Sequence, residues 1–308
     1  MATETTDMES PGRPRGPFGS VLTAMVTPFN DDGGLDLDRA RNLARYLVEN
    51  GNDGLVVAGT TGESPTISFQ EQRELTIAVR EAIPDHTLIA GAGSNDLRSA
   101  IRNTHMVTES GADGILAVTP YYNRPSQAGL EAHFRASAAE TELPLMLYDI
   151  PVRTGRKISK EVLIRLAEVD NIVAVKDAAG DPSASAEVLA ETELDYYSGD
   201  DGMTLPLLAV GAVGVVGVAT HWVGREMAAM VAAYLDGKVD EARRLNALML
   251  PSFAYETGDL APNPVPTKAL LNLLGIPVGE CRLPMGPAPE NQADLARAVL
   301  TDLGRSIT

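Results

Sequence analysis

Eight short apolar runs, separated by segments with helical periodicity, constrain this sequence more than any other feature. Such runs, bounded by turn residues, are typical of buried parallel strands, and they occupy residues 21–27, 54–59, 87–93, 114–119, 144–150, 172–178, 194–199 and 214–220. Segments of amphipathic helical spacing lie between them at 36–50, 68–83, 96–110, 127–141, 159–169 and 183–191. Several begin with a residue suited to capping a helix, namely Asp36, Ser68, Asp96, Ser159 and Ser183. An eightfold alternation of strand and helix predicts an α/β fold, a (β/α)8 TIM barrel.

A doubly wound sheet is the alternative fold, but such a sheet usually carries a dinucleotide fingerprint after its first strand. The nearest candidate, at residues 91–96, lacks the third glycine. After 222–235, interpreted as the eighth barrel helix, the alternation stops, and residues 238–250, 266–274 and 290–304 have helical patterns. We therefore predict a disordered leader at 1–17, a barrel at 18–236 and a small C-terminal helical region at 237–308.

Composition excludes several classes of protein. A net charge of −17 argues against nucleic-acid binding, which needs clustered Lys and Arg. The sequence has no run of eighteen apolar residues, so it predicts no membrane span. Residues 1–17 do not resemble a signal peptide. The single cysteine, Cys281, cannot form an internal disulfide, which favours a reducing cytoplasm. The acidic surface also suits a salty cytoplasm, which activity across a salt series would test.

Lys176 is the candidate nucleophile. It follows four apolar residues in the run at 172–178, and it is the only one of the five lysines that interrupts a hydrophobic strand. A buried ammonium is costly, so burial lowers the pKa of the amine and leaves it nucleophilic. The alternative is a lysine at a strand end that extends its charged group to solvent.

Other strand ends carry polar side chains. In such barrels the catalytic and binding residues lie at the carboxyl ends of the strands. Thr60 and Thr61, in a glycine-flanked turn, can offer hydroxyl and N–H groups to a carboxylate, or form an ordinary tight turn. Tyr148 can move protons or simply pack in the core. Arg153 can bind an acidic substrate or be a surface charge. The tyrosines of the loop at 119–125 can instead pack at a subunit contact.

The seventh run ends in Ser198-Gly199-Asp200-Asp201, which allows a carboxylate metal site or helix capping by Asp200 or Asp201. We favour capping, because the chain has only four histidines and none is near. An amine, a phenol, hydroxyls and an arginine at one barrel mouth are suited to Schiff-base chemistry on a keto acid without a metal.

Five motifs in this order, GTTGES, VTPYYNRPS, LYDIPVRTG, VKDA and YSGDD, resemble the dihydrodipicolinate synthase family of pyruvate-dependent class I aldolases. The resemblance spans residues 21–275. It implies 4-hydroxy-tetrahydrodipicolinate synthase activity, the condensation of pyruvate with L-aspartate 4-semialdehyde on the diaminopimelate route to lysine. It also implies no cofactor beyond a covalent imine with pyruvate, and no metal.

The resemblance further implies a role for each site residue. Lys176 forms the imine, Tyr148 donates and accepts protons, and Thr60 relays them. Tyr122 completes the relay from a neighbouring subunit, which implies a homo-oligomer, commonly a tetramer built as a dimer of dimers. The remaining residues bind substrate: Thr61 and the backbone around Gly199 and Val216 hold the pyruvate carboxylate, and Arg153 holds the carboxylate of the semialdehyde.

The sequence departs from the family pattern at several positions. Asp149 stands where many members have Asn, and Val216 where Ile is frequent. In the cleft that binds inhibitory lysine in sensitive members, two histidines and a glutamate are replaced by Phe69, Gln72 and Ser99. Without those partners the charged groups of lysine are left unpaired, so we predict weak or absent inhibition by lysine.

Two other functions remain open from the sequence. One is a related aldolase acting on N-acetylneuraminate or a 2-keto-3-deoxy acid, although Tyr122 and Arg153 favour the synthase. The other is an inactive binding protein that keeps the fold. The joint presence of Lys176, Tyr148, Thr60 and Tyr122 makes this the weakest hypothesis.

Overall fold

The strands of this computed structural model, which describes residues 16–305, form a closed parallel barrel in the order β1 to β8. Their bounds are β1 Val21–Ala24, β2 Gly54–Val57, β3 Thr87–Gly91, β4 Gly114–Val118, β5 Leu145–Asp149, β6 Ile172–Asp177, β7 Asp195–Ser198 and β8 Gly214–Gly217. The barrel closes where Leu22 of β1 pairs with Val216 of β8. The predicted barrel is confirmed, and the doubly wound sheet is excluded.

Twelve helices lie in residues 16–305, most of them in the layer around the barrel. They are α1 Leu37–Glu49, α2 Phe69–Ala82, α3 Leu97–Glu109, α4 Gln127–Ala138, α5 Pro151–Thr154, α6 Lys160–Leu166, α7 Pro182–Leu189, α8 Thr204–Ala209, α9 Thr220–Leu235, α10 Val239–Tyr255, α11 Val265–Leu273 and α12 Gln292–Asp302. None of the described helices is both long and apolar enough to cross a membrane. The boundary proposed at residue 236 falls between α9 and α10 and stays a prediction.

Four of the five predicted helix caps are confirmed: Asp36, Ser68, Asp96 and Ser159 each accept a hydrogen bond from a backbone N–H of the first turn. The fifth, Ser183, is wrong. Helix α7 begins at Pro182, and Asp181 is the residue that accepts, from the N–H of Ala184 at 3.1 Å. Pro suits the first helical position because it has no N–H to satisfy there, so the cap precedes it.

The barrel interior is packed with side chains. Its buried residues include Leu22, Val56, Ile89, Met146 and Ala174. At the amino ends of the strands, Phe18 joins this core, and its N–H donates to the hydroxyl of Tyr197 at 3.3 Å.

Residues 1–15 of the predicted leader lie outside the described part of the chain. Of its last two residues, Gly16 is buried and Pro17 is exposed beside a short bridge to Gly19. Phe18 and Tyr197 pack at the amino ends of the strands, so among the described residues we expect ligand-binding side chains at the carboxyl ends.

Candidate active site

Strands β5 and β6 place the two principal candidate residues side by side. Their register pairs Tyr148 with Lys176 and Asp149 with Asp177. Because side chains alternate along a strand, the first pair faces the barrel interior and the second faces the helical layer. The ammonium of Lys176 lies 4.3 Å from the centroid of the Tyr148 ring. Amine and phenol therefore meet at the carboxyl end of the barrel.

Burial determines the protonation of Lys176, which is 4% exposed. Loss of water lowers its pKa to about 8, and the charge of Arg153 acts in the same direction. The carboxyls of Asp201 and Glu256 oppose this shift but do not cancel it. About a tenth of the amine is therefore neutral at pH 7, and this form can attack a carbonyl.

Tyr148 is kept protonated by the same environment. Burial raises the pKa of its hydroxyl to about 12, although a hydrogen bond with Thr60 and the charge of Arg153 pull the other way. The backbone carbonyl of Tyr148 accepts from both the N–H and the hydroxyl of Thr119, each at 3.0 Å. The phenol is thus a neutral group that can donate one hydrogen bond and accept another, so it can take up a proton from one side as it releases its own to the other.

The loop after β2 brings Thr60 and Thr61 to the same end. The carbonyl of Thr60 accepts from the N–H of Glu63 at 3.1 Å, which forms a tight turn. Thr61 is 2% exposed, and its hydroxyl accepts from Nδ2 of Asn263 at 2.9 Å. The side chains of Thr60 and Thr61 are held from different directions, Thr60 by Tyr148 and Thr61 by the C-terminal region.

Gly199 allows the backbone after β7 to approach Lys176 closely. A Cβ at this position would lie 3.0 Å from Cγ and 3.1 Å from Cε of Lys176, and 3.0 Å from Cβ of Ala178. Val216, on β8, is fully buried in the barrel interior. Gly199 therefore borders the lysine side chain and Val216 lies in the barrel interior, while their role in holding a carboxylate stays a prediction.

Arg153 lies on the short helix α5 at the edge of a cavity of about 290 Å³. The lining of this cavity includes Thr60, Glu63, Tyr121, Ile150, Asn263 and Met285. Tyr121, rather than Tyr122, contributes to this wall. The Tyr122 side chain is 90% exposed, and its backbone has φ 73°.

A pair of buried carboxyls behind Lys176 was missed by the sequence analysis. Asp200 does cap a short turn, as predicted, by accepting from the N–H of Gly202 at 2.9 Å. Asp201 is instead fully buried and accepts from the N–H of Val218 at 2.7 Å, while Glu256 accepts from the N–H of Ala219 at 3.0 Å.

Burial makes it unfavourable for Asp201 and Glu256 to be ionised at the same time. Burial raises the pKa of Asp201 to about 6 and that of Glu256 well above its usual range, and the two side chains are hydrogen-bonded to each other. A pair in this state keeps one negative charge opposite Lys176. Glu256 follows α10, far along the sequence, so no local motif could reveal the pair. Across residues 16–305, no cluster of three or more His, Cys, Asp or Glu side chains could hold a metal ion.

The residues at the predicted lysine-inhibitor positions make other contacts. Phe69 lies under the guanidinium of Arg102, 5.0 Å from its carbon to the ring centroid. The Gln72 amide donates to the carbonyl of Gly91, and the Ser99 hydroxyl donates to Asp96 at 3.0 Å. The polar groups of Gln72 and Ser99 are thus bonded within the chain.

Comparisons with known proteins cover nearly the whole chain. The model of the dihydrodipicolinate synthetase family matches residues 17–303. A 4-hydroxy-tetrahydrodipicolinate synthase from Acidothermus cellulolyticus is 55% identical over 294 residues, which cover 93% of this chain and 94% of that protein.

Solved structures of dihydrodipicolinate synthases are also similar to this chain. A dihydrodipicolinate synthase from Cyanidioschyzon merolae with lysine bound has a TM-score of 0.90 at 43% identity, covering 93% of this chain and 98% of that one. A chloride-inhibited dihydrodipicolinate synthase from Acinetobacter baumannii in complex with pyruvate has a TM-score of 0.90 at 34% identity, covering 94% of this chain and all of that one.

Proposed function

The chain belongs to the dihydrodipicolinate synthetase family, and on that premise we propose that it is a 4-hydroxy-tetrahydrodipicolinate synthase, a lyase that condenses pyruvate with L-aspartate 4-semialdehyde. The observation that carries the proposal is the buried Lys176 amine with its lowered pKa, 4.3 Å from the centroid of the Tyr148 ring.

Imine formation is the first step. The neutral amine of Lys176 attacks the keto carbon of pyruvate, and loss of water leaves a protonated imine. Thr61 and the backbone at Gly199 and Val216 hold the pyruvate carboxylate. The single negative charge shared by Asp201 and Glu256 stabilises the positive imine nitrogen.

Proton transfer follows. Tyr148 takes a proton from the pyruvate methyl group as it gives its own proton to its hydrogen-bonded partner Thr60, which passes one on towards solvent, and the enamine forms while the phenol stays neutral. Electron withdrawal by the imine activates that carbon, so the chemistry requires neither a metal nor another cofactor. Arg153 at the mouth binds the carboxylate of the semialdehyde. The enamine attacks the aldehyde carbon, which restores the imine with Lys176, and Tyr148 gives a proton to the resulting alkoxide. The amine of the semialdehyde then adds to the imine carbon and displaces Lys176, which closes the ring.

We also propose that Tyr122 acts in the site of a neighbouring subunit. A tyrosine that is 90% exposed and held at φ 73° is unusual, because a bulky residue adopts this backbone conformation only when its surroundings favour it. A partner covering this loop supplies such surroundings. The expected assembly is a homotetramer made of two tight dimers.

The proposed location is the cytoplasm, where pyruvate is available and a free thiol survives. Cys281 is half-buried, and burial raises its pKa to about 12, which makes it a poor nucleophile. The acidic surface offers no platform for nucleic acid.

A coupled assay with pyruvate and aspartate semialdehyde tests the function. We expect condensation by the wild-type enzyme, with little cleavage of N-acetylneuraminate or 2-keto-3-deoxy acids. The Lys176→Ala variant should keep its fold and lose nearly all of the rate. Efficient sugar-acid cleavage without condensation would support the related aldolase, and no activity with any of these substrates would support an inactive binding protein.

A further inference from the structure

A fully buried ion pair lies beside the loop that carries Thr60 and Thr61. The Nζ atom of Lys268, on α11, is 2.6 Å from Oε1 of Glu63, and the two side chains are 2% and 1% exposed. Neither group takes part in the proposed chemistry. Moving two charges out of water is expensive, so the pair needs another role to account for its place in the fold.

On the loop side, Glu63 closes the turn that presents the threonines. Its backbone is in the left-handed region at φ 56°, and its N–H bonds the carbonyl of Thr60 at 3.1 Å. The next residue, Ser64, donates its N–H to the carbonyl of Gly59 at 3.2 Å. A non-glycine residue keeps a positive φ only when its surroundings fix it, and the buried carboxylate of Glu63 supplies that constraint.

On the other side, Lys268 is fixed by groups that cannot easily follow a moving loop. Its ammonium donates to the carbonyl of Glu280 at 3.0 Å and lies 4.1 Å from the centroid of the Phe29 ring. The guanidinium carbon of Arg282 is also 4.1 Å from that ring, and the N–H of Arg282 donates to Oε2 of Glu63 at 2.9 Å. Both carboxylate oxygens of Glu63 are therefore bound by the C-terminal region.

We propose that Glu63 and Lys268 are positioning residues for the condensation. Their ion pair holds the turn of Thr60 and Thr61 in the position from which these threonines contact pyruvate and Tyr148. The hydrogen bond from Asn263 to Thr61 adds a second link between the same two parts of the chain. The C-terminal helical region thereby becomes part of the substrate site. This inference rests on the proposed function.

The test compares Glu63→Gln with the wild type in steady-state kinetics. We expect the KM for pyruvate to rise about tenfold or more, with a smaller change in kcat, since a displacement of about 1 Å at a reacting site can cost about a hundredfold. Glu226→Gln is the matched control, because its carboxylate also links the C-terminal region, through Arg305 at 2.6 Å, but away from the threonine turn. Its KM should not change.

The double variant Glu63→Gln/Lys268→Met guards against misfolding, since it leaves no unpaired buried charge, and it should show the same rise in KM. Deuterium uptake by the peptide covering residues 59–66 measures the loop without substrate, and it should increase in both Glu63 variants but not in the control. A wild-type KM in the folded variants, or unchanged uptake, would overturn the inference. If the wild-type enzyme condenses nothing while the Glu63 variants still take up more deuterium than it does, the proposed function is refuted and the positioning of the loop is not.

Discussion

Burial acts in opposite directions on the two groups that carry the proposed chemistry, and in both cases it favours the neutral form. It lowers the pKa of Lys176 to about 8 and raises that of Tyr148 to about 12. The burial of Lys176 could be predicted from the apolar residues around it. The charges that moderate its pKa could not, because Glu256 reaches the site from a helix eighty residues later in the chain.

Asp149, next to Tyr148, gives a prediction about stability. It is 3% exposed, and its Oδ1 accepts from the N–H of Ile158 at 3.2 Å. Burial raises its pKa to about 7; Asp177 adds to the increase, while the Ile158 hydrogen bond and Lys157 oppose it. Because this pKa lies above the unfolded value, the protonated carboxyl stabilises the fold at low pH, and the contribution is lost as pH rises from about 4 to about 7.

The variant Asp149→Asn should not lose this stability as pH rises, because an amide does not ionise. We expect a free energy of unfolding similar to wild type near pH 4 and higher at pH 8, by up to about 4 kcal/mol for a shift of about three units. Urea denaturation across this pH range measures the difference. Asp38→Asn, at a position whose side chain is 92% exposed, is the control and should have little effect. Parallel pH profiles of wild type and Asp149→Asn would contradict this account.

At the scale of elements, the sequence predicts strands better than the contacts between them. Seven of the eight strands carry buried Val, Leu, Ile or Ala, and β7 carries the buried Tyr196 and Tyr197 instead, so the apolar runs are visible between recognisable turns. The six-residue helix α8 is too short to show a period and was not predicted. The carboxyl pair and the Glu63–Lys268 pair were also missed, because each joins segments that no local pattern connects.

The close approach of the β7 end to β6 predicts the effect of Gly199→Ala. The added methyl group would lie 3.0 Å from both Lys176 and Ala178, which is tight enough to displace these neighbours by a few tenths of an ångström. We expect the rate of pyruvate adduct formation to fall by about tenfold or more, measured by trapping the adduct over time. Gly258→Ala is the control, since a Cβ there meets no atom within 4 Å. An unchanged rate in the Gly199 variant would show that the loop relaxes without disturbing Lys176.

At the scale of the whole molecule, the proposed role of Tyr122 predicts that neighbouring subunits share active sites. If Tyr122 completes the neighbouring site, a mixed dimer of Tyr122→Phe and Lys176→Ala subunits contains one site with both groups intact. Co-expression should therefore recover about a quarter of wild-type activity, as half of the dimers are mixed. Tyr148→Phe co-expressed with Lys176→Ala is the control, because both residues belong to one chain. Recovery no greater than in this control would contradict a shared site.

The cleft at Phe69, Gln72 and Ser99 predicts the response of the assembled enzyme to lysine. Because these side chains provide neither the charge nor the free polar groups that the amine and carboxylate of lysine need, inhibition should be weak or absent. Initial rates measured against increasing lysine test this. Strong inhibition of the purified enzyme at low lysine would show that other residues bind it.

The most direct test of the central claim is reduction of the enzyme with borohydride in the presence of pyruvate, followed by peptide mass spectrometry. The account predicts one reduced pyruvate adduct per chain, on Lys176, whose yield increases as pH rises towards 8 because the neutral amine is the attacking form. It predicts no adduct in Lys176→Ala. No adduct on the wild-type enzyme, or an adduct on one of the other four lysines, would contradict it.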